Sequence, residues 1–560
     1  MRIKKLYVGI AALLLIVSTG VWSLAAARLA QGNADQLADG FLFENAQTFS
    51  GAQFPAAHTQ LLKWPLFWLL SLTYNARLAY MIATVALALF TVGMLAYVLY
   101  RIDRRPLVFG TLCLGMACVL VTVPAYVQGG MTAPLGLAMV AGRNIEYILY
   151  IASLALFARA AGMTSWRWVS GAVLLSLLLA SDRFFLPVTI GGGLGLLLTA
   201  YVWNHPSLTG VARRWVLGSA VAWLISGVLL WVARQFTYVV GPSNSPYRWI
   251  DGLNNVHPAV TGLAKGTLLN LGITGDAGGP TVITAAVNMI VALVVVYAVV
   301  KVVSRIKTTP QKVTTAQLLA MMLLLSSAVV VVLYVSADHP YVADARYLSL
   351  LFFTGAIAGA TYMRYIEPQP SYYYAAGTVL AIATVIGIAG VWQHTDQLLV
   401  HSELLRRNTG IAQALSSHPD KILVGDYWRV LPVKALTNGA GQQILPLTTC
   451  VQPKQVLTST SWNKSLQSHS FAYLLPILPA GTPYGTCTVQ FVEFLYGPPS
   501  SVIVIAGTAR SPAEVLLIYN EGAADNHDKR LLPPKPVLGA PTEGEAKPTG
   551  SMITPLIAPS

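Results

Sequence analysis

Apolar residues in this chain come in long runs rather than in alternation. Up to about residue 394 they fill stretches near residues 6–27, 77–100, 107–126, 145–163, 168–181, 185–203, 215–233, 281–302, 316–335, 347–363 and 373–393, separated by short polar segments. A helix that crosses a bilayer needs about 20 mostly apolar residues, so these stretches predict a bundle of roughly eleven spans. The fifth and sixth are short and meet at Ser181-Asp182-Arg183, which predicts a tilted pair or a partly re-entrant hairpin.

After about residue 395 the pattern changes. Residues 396–416 read as an amphipathic helix with Leu398, Leu399, Leu404, Leu405, Ile411 and Leu415 on one side. Strands are predicted at Lys421 to Val424, Gln443 to Leu445, Thr488 to Leu495, Ser501 to Ala506 and Glu514 to Tyr519, which together suggest a small α/β domain. From about Asp525 the chain is rich in Pro and Gly, and a disordered tail is expected. The predicted organisation is a polytopic α-helical membrane module over 1–394, an extracytoplasmic α/β domain over 395–524 and a tail over 525–560.

Composition supports two solvents for one chain. Hydrophobic residues make up 55% and charged residues 10%, against about 25% charged in a soluble domain. The net charge of +14 would suggest a nucleic-acid partner in a soluble protein. Here most of the cations before residue 395 fall in short loops, so topology explains them and no nucleic-acid partner is expected. With the N-terminus inside, Arg2, Arg104, Arg159, Arg213, Lys301 and Arg364 all lie on inner segments, as the positive-inside rule requires. Of the acidic residues in this region only Asp103 and Glu367 fall inside; Asp35, Asp39, Glu44, Glu146, Asp182, Asp251, Asp276, Asp338 and Asp344 fall outside. Carboxylate chemistry is therefore expected at the outer face. The first run resembles a signal peptide ending at Ala25-Ala26-Ala27, but its length favours an uncleaved helix. Cys113 and Cys118 lie within an apolar run, whereas Cys450 and Cys487 lie in the C-terminal domain and are the disulfide candidate.

The first outer loop, residues 28–63, is long for a connector. Asn33-Ala34-Asp35 can cap a surface helix on which Asp35 and Asp39, four apart, share a face. Its end, with His58 and then Lys63 before Trp64-Pro65, opens an aromatic segment and predicts Lys63 at headgroup depth. Two more outer clusters mix charge with aromatics: Gly142-Arg143-Asn144-Ile145-Glu146, and Asp338-His339 through Asp344 to Arg346-Tyr347. Each has a bland reading. Asp35 can be only a cap, Lys63 and Arg346 can simply snorkel, and Arg143 and Glu146, three apart, suit an intrahelical pair. Tyr372-Tyr373-Tyr374 reads as interfacial belt, and His58 and His339 lack metal-ligand spacing. Asp182 and Arg183 are adjacent, do not face each other on a helix, and sit at a break between spans; Asp182 is a functional candidate on that ground.

A long first outer loop that begins with an acidic residue, Asp35, and closes on Lys63-Trp64-Pro65, followed by a late Arg346-Tyr347 pair, resembles the GT-C superfamily of glycosyltransferases. That superfamily includes protein O-mannosyltransferases and lipid A aminoarabinose transferases. Gly425-Asp426-Tyr427-Trp428 after the first C-terminal strand resembles the start of the outer domain in bacterial proteins of this type. The resemblance implies a multi-pass protein of the bacterial inner membrane that uses a sugar on a polyprenyl phosphate and an envelope glycan, lipid or protein as acceptor. It implies Asp35 as the base, with Asp39 in reserve, and Lys63 and Arg346 with Tyr347 at the lipid phosphate. Asp182, His58, Arg143 and Glu146 are candidate sugar or acceptor contacts. Many relatives carry Asp-Glu where this chain has Asp35-Gln36. If a divalent metal is used, Asp39 or Asp182 would supply the second carboxylate; otherwise the enzyme is metal-independent. An O-antigen polymerase or ligase, for which the loop from Arg234 to Gly279 has the length, and a flippase or transporter of lipid-linked glycans are the alternatives.

Overall fold

A computed structural model describes residues 2–30, 53–55, 60–71, 76–122, 137, 140, 142–233, 239–241, 256–270, 279–309, 313–336, 348–366, 369–394, 400–436, 443–447, 466–477, 487–507 and 513–525. The chain divides into two units. One comprises Met1–Ala30, Phe54–Phe67 and Leu78–Leu398; the other comprises Gln31–Gln53, Trp68–Arg77 and Leu399–Ser560.

The larger unit is helical. Its helices are α1 (Arg2–Ala30), α2 (Trp64–Ser71), which follows a single 3-10 turn at Leu61–Lys63, α3 (Ala76–Ile102), α4 (Pro106–Thr122), α5 (Asn144–Arg159), α6 (Trp166–Ser181), α7 (Phe185–Val202) and α8 (Pro206–Ala233). They continue as α9 (Val256–Asn270), α10 (Gly279–Thr308), α11 (Thr315–Ser336), α12 (Ser349–Met363) and α13 (Pro370–His394). Among the described residues, seven helices are long and apolar enough to cross a membrane: α1, α3, α7, α8, α10, α11 and α13. The remaining expected spans fall on the shorter helices α4, α5, α6 and α12. The chain is a polytopic α-helical membrane protein.

Helix α4 packs between α1 and α13, while α7 and α8 pack against each other and reach α11 and α6 respectively. Where lipid leaves no water to satisfy polar groups, small residues and interhelical hydrogen bonds hold helices together. Trp215 Nε1 on α8 donates to Thr189 Oγ1 on α7 at 2.8 Å, and the Thr189 and Ser219 hydroxyls meet at 3.0 Å. The hydroxyls of Tyr150 on α5 and Ser326 on α11 share a hydrogen bond of 2.7 Å. At Gly218 a Cβ would lie 2.6 Å from the Phe157 ring, so glycine is what lets α8 approach α5 there.

From Leu399 on, the smaller unit runs through α14 (Val400–Ser416), β3 (Ile422–Asp426), α15 (Tyr427–Leu436), β4 (Ile444–Leu447), β5 (Phe471–Pro476), α16 (Val489–Tyr496), β6 (Ser501–Ile505) and β7 (Glu514–Tyr519). Strands β1 (Gln53–Pro55) and β2 (Val239–Gly241) form a separate two-stranded pair. The five-stranded sheet has the order β4-β3-β5-β7-β6. β3 runs parallel to β4 and β5, and β7 runs antiparallel to β5 and β6.

Two expectations for this unit are corrected. Residues 488–495, expected as a strand, form α16: the Thr488 hydroxyl caps it by accepting from Phe491 N at 3.2 Å, and Val492, Leu495 and Tyr496 bury one helical face. The central strand β5 was not anticipated. Its sequence, FAYLLP, is buried almost throughout, so it lacks the alternation that marks a half-exposed strand. Gly425 is required where β3 meets β5, since a Cβ there would lie 2.7 Å from the Leu474 carbonyl oxygen.

Candidate functional site

Three short segments converge at one end of α5, α6 and α7: the turn Gln60–Lys63, residues 142–146, and residues 181–184. The turn comes first in sequence and is anchored by backbone. Gln60 N donates to Ser181 O at 2.9 Å, Lys63 N closes the turn on Gln60 O at 2.8 Å, and Leu62 N reaches Ser181 Oγ at 3.5 Å. Gln60 adopts a left-handed backbone with φ of 50°, an uncommon state for a non-glycine residue that is worth attention near a functional site.

Two ion pairs complete the cluster. Lys63 Nζ lies 3.1 Å from Glu146 Oε2, both side chains having no solvent exposure, and it also donates to the Gly142 carbonyl. Glu146 stands in the first turn of α5, where the helix dipole favours a negative charge. Its other oxygen accepts from the Ser181 hydroxyl at 3.4 Å. Arg143 pairs through Nε with Asp182, and its guanidinium lies 4.5 Å from the centre of the Phe184 ring. Asp182 follows the last residue of α6 and also accepts from Phe184 N at 2.9 Å just before α7 begins, a short turn of the kind aspartate favours. Beneath them the Tyr147 ring packs at 5.5 Å on Phe185 and 5.4 Å on Phe353, joining α5, α7 and α12.

The cluster holds two cations and two carboxylates, so it is neutral as a set. Burying them is tolerable only because each charge has a partner and further hydrogen bonds. Their exposures differ: Glu146, Asp182 and Lys63 are sealed, while the Arg143 side chain keeps 17%. Chemically, the arrangement offers one partly accessible guanidinium held over an aromatic ring, with a fixed carboxylate beside it.

Lys63, Arg143, Glu146 and Asp182 are thus brought together. Two expectations change. Arg143 and Glu146 are not an intrahelical pair, because Glu146 pairs with Lys63 from the first loop and Arg143 with Asp182. Lys63 does not simply snorkel outward: its side chain has no exposure, since the turn before α2 packs against α6 and the ammonium is held by Glu146. Asp35, Asp39, His58, Arg346, Tyr347 and Cys450 lie outside the described residues, as do His339 and the tail after residue 525. Cys487 is disulfide-bonded, whereas Cys113 and Cys118 are buried thiols outside any disulfide. Among the described residues no group of three or more His, Cys, Asp or Glu could hold a metal ion. Sequence reasoning passed over Gln60, Ser181 and Phe184. Ser181 stands out in the sequence only as part of the break between spans, and nothing in the pattern signals that its carbonyl and hydroxyl hold the end of the first loop.

The smaller unit has an ionic cluster of its own. Glu514, the first residue of β7, pairs with Arg429 on α15 and lies 3.5 Å from Arg407 on α14. Burial lowers the Arg407 pKa, Glu514 opposes that shift, and Arg429 adds to it. Asn408 Oδ1 accepts from the Arg407 guanidinium at 3.0 Å. Both guanidiniums are committed to one carboxylate, and the cluster ties α14 and α15 to the sheet.

No protein-family model and no curated protein matches the chain. Among solved structures, the crystal structure of ArnT from Cupriavidus metallidurans in the apo state is similar at 13% sequence identity, over 92% of this chain and 97% of that one, with a TM-score of 0.46.

Proposed function

We propose that this chain is an integral-membrane glycosyltransferase that moves a sugar from a polyprenyl-phosphate donor to an acceptor of the cell envelope, at the outer face of the bacterial inner membrane. The observation that carries the reading is the docking of Gln60–Lys63 onto residues 142–146 and 181–184. The loop bearing Asp35 and Asp39 thereby ends on a buried ionic cluster at the ends of apolar helices, where a lipid phosphate and a polar acceptor would have to meet.

The reaction is a displacement at the anomeric carbon. A carboxylate accepts the proton of the acceptor hydroxyl as the hydroxyl oxygen bonds to the sugar and the C–O bond to phosphate breaks, inverting the centre. Asp35 takes the role of base, with Asp39 as the second candidate. Arg346 and Tyr347 bind the lipid phosphate as negative charge develops on it, and Arg143, with its residual exposure, is the cation of the described cluster best suited to join them. Lys63 contributes to that phosphate site from a paired state, its ammonium already held by Glu146. His58 serves the sugar or the acceptor, while the enclosed Glu146 and Asp182 position Lys63 and Arg143 for it. A general base contributes about 10²- to 10⁴-fold. Asp35→Asn and Asp39→Asn, made separately and assayed in membranes supplied with a polyprenyl-phosphate sugar, test the reading: at least one should lose transfer by that factor. Normal transfer by both sinks the mechanism.

A further inference from the structure

At the other end of α7 and α8, away from the ionic cluster, is a groove of about 450 Å³ lined by Leu194, Leu197, Leu198 and Tyr201 of α7 and by Thr209 and Arg213 of α8. Tyr201 lies ~24 Å along the axis from the first residue of α7, close to the thickness of a hydrocarbon core. The groove therefore opens toward the leaflet opposite the cluster. Leu198 is 64% and Tyr201 79% exposed, as side chains facing lipid would be.

The cation distinguishes this groove from ordinary lipid-facing surface. Arg105 and Arg143 are matched by Asp103 and Asp182. Arg213 is exposed, and among the described residues no carboxylate pairs with it. An unpaired guanidinium and a tyrosine that line one apolar groove offer donors for a phosphate and a wall for an acyl chain. Basic pockets between membrane helices on the positively charged side bind acidic lipid headgroups. We propose that this groove seats an anionic glycerophospholipid of the inner leaflet, with its phosphate on Arg213 and Tyr201 and an acyl chain along Leu194, Leu197 and Leu198. The site is separate from the proposed transfer reaction.

The test uses the full-length protein, stripped of lipid in detergent and titrated with phosphatidylglycerol or phosphatidylcholine under native mass spectrometry. One arginine near the surface shifts anionic-lipid binding about fivefold. Wild type should prefer phosphatidylglycerol by at least that factor. Arg213→Gln should abolish the preference, and Arg104→Gln, at an exposed arginine outside the groove, should keep it. Leu194→Trp, which fills the groove and leaves Arg213 intact, should weaken binding of both lipids. An undiminished preference in Arg213→Gln overturns the proposal. Displacement of phosphatidylglycerol by inorganic phosphate alone also overturns it, since the groove would then hold a free anion rather than a lipid.

Discussion

Lys63 and Glu146 neutralise each other at 3.1 Å with neither side chain exposed to solvent. The pair ties the end of the first loop to the first turn of α5. Removing one member of a buried pair strands the other, at a cost of about 3–5 kcal/mol, whereas replacing both with apolar residues is often neutral. Lys63→Met and Glu146→Gln should each destabilise the fold by about that amount, read as a lower thermal midpoint in detergent. The double variant Lys63→Met/Glu146→Gln leaves no unpaired charge and should recover much of the loss. Additive single effects in this cycle would show that the two charges do not depend on each other.

The second pair should behave more mildly. Asp182→Asn leaves Arg143 without its carboxylate, but the 17% exposure of that side chain lets water take over part of the role. The expected loss is about 1–3 kcal/mol, smaller than for Glu146→Gln in the same thermal assay. Arg143→Lys removes the guanidinium over Phe184 as well as the fork toward Asp182, so it should not preserve function as a conservative exchange would. Equal losses for Asp182→Asn and Glu146→Gln would contradict the role given to exposure.

In the smaller unit, Glu514 is the single carboxylate between Arg407 and Arg429 among the described contacts. Glu514→Gln leaves two guanidiniums near one another without an anion, and the expected cost is about 3–5 kcal/mol. Hydrogen exchange in the full-length protein would read it: amides of β5 and β7 should exchange faster while those of α7 and α11 stay protected. Unchanged exchange in β7 would show that the cluster does not hold the sheet.

Alkaline pH should also act on this unit. Burial pushes the phenol pKa values of Tyr473 and Tyr519 above the usual tyrosine range, with further upward contributions from neighbouring tyrosines and Asp426 at Tyr473 and from Glu493 at Tyr519. An unfolded tyrosine loses its proton near pH 10. Above that value the unfolded state binds fewer protons than the folded one, so the stabilisation present at lower pH is lost as pH rises. Below the unfolding transition, wild-type tyrosinate absorbance should exceed that of Tyr473→Phe/Tyr519→Phe by less than two residues' worth. Full ionisation of both phenols near pH 10 with the fold intact would refute this.

The sequence by itself determined which stretches become helices in the larger unit. Runs of apolar residues near span length leave the backbone no other way to satisfy its hydrogen bonds in lipid, so their positions could be read off composition. It also picked out Lys63, Arg143, Glu146 and Asp182, because charges at span ends are conspicuous. Their pairing was decided only by tertiary structure. Local spacing favoured Arg143 with Glu146, but packing of the Gln60–Lys63 turn against Ser181 put a different cation beside Glu146 and left Arg143 to Asp182. The same holds for β5 and α16, where a buried strand lacks alternation and a short capped helix mimics it. Span-forming hydrophobicity is summed along one segment and so is visible in sequence. Charge partnership depends on which segments meet, and that is settled by three-dimensional packing.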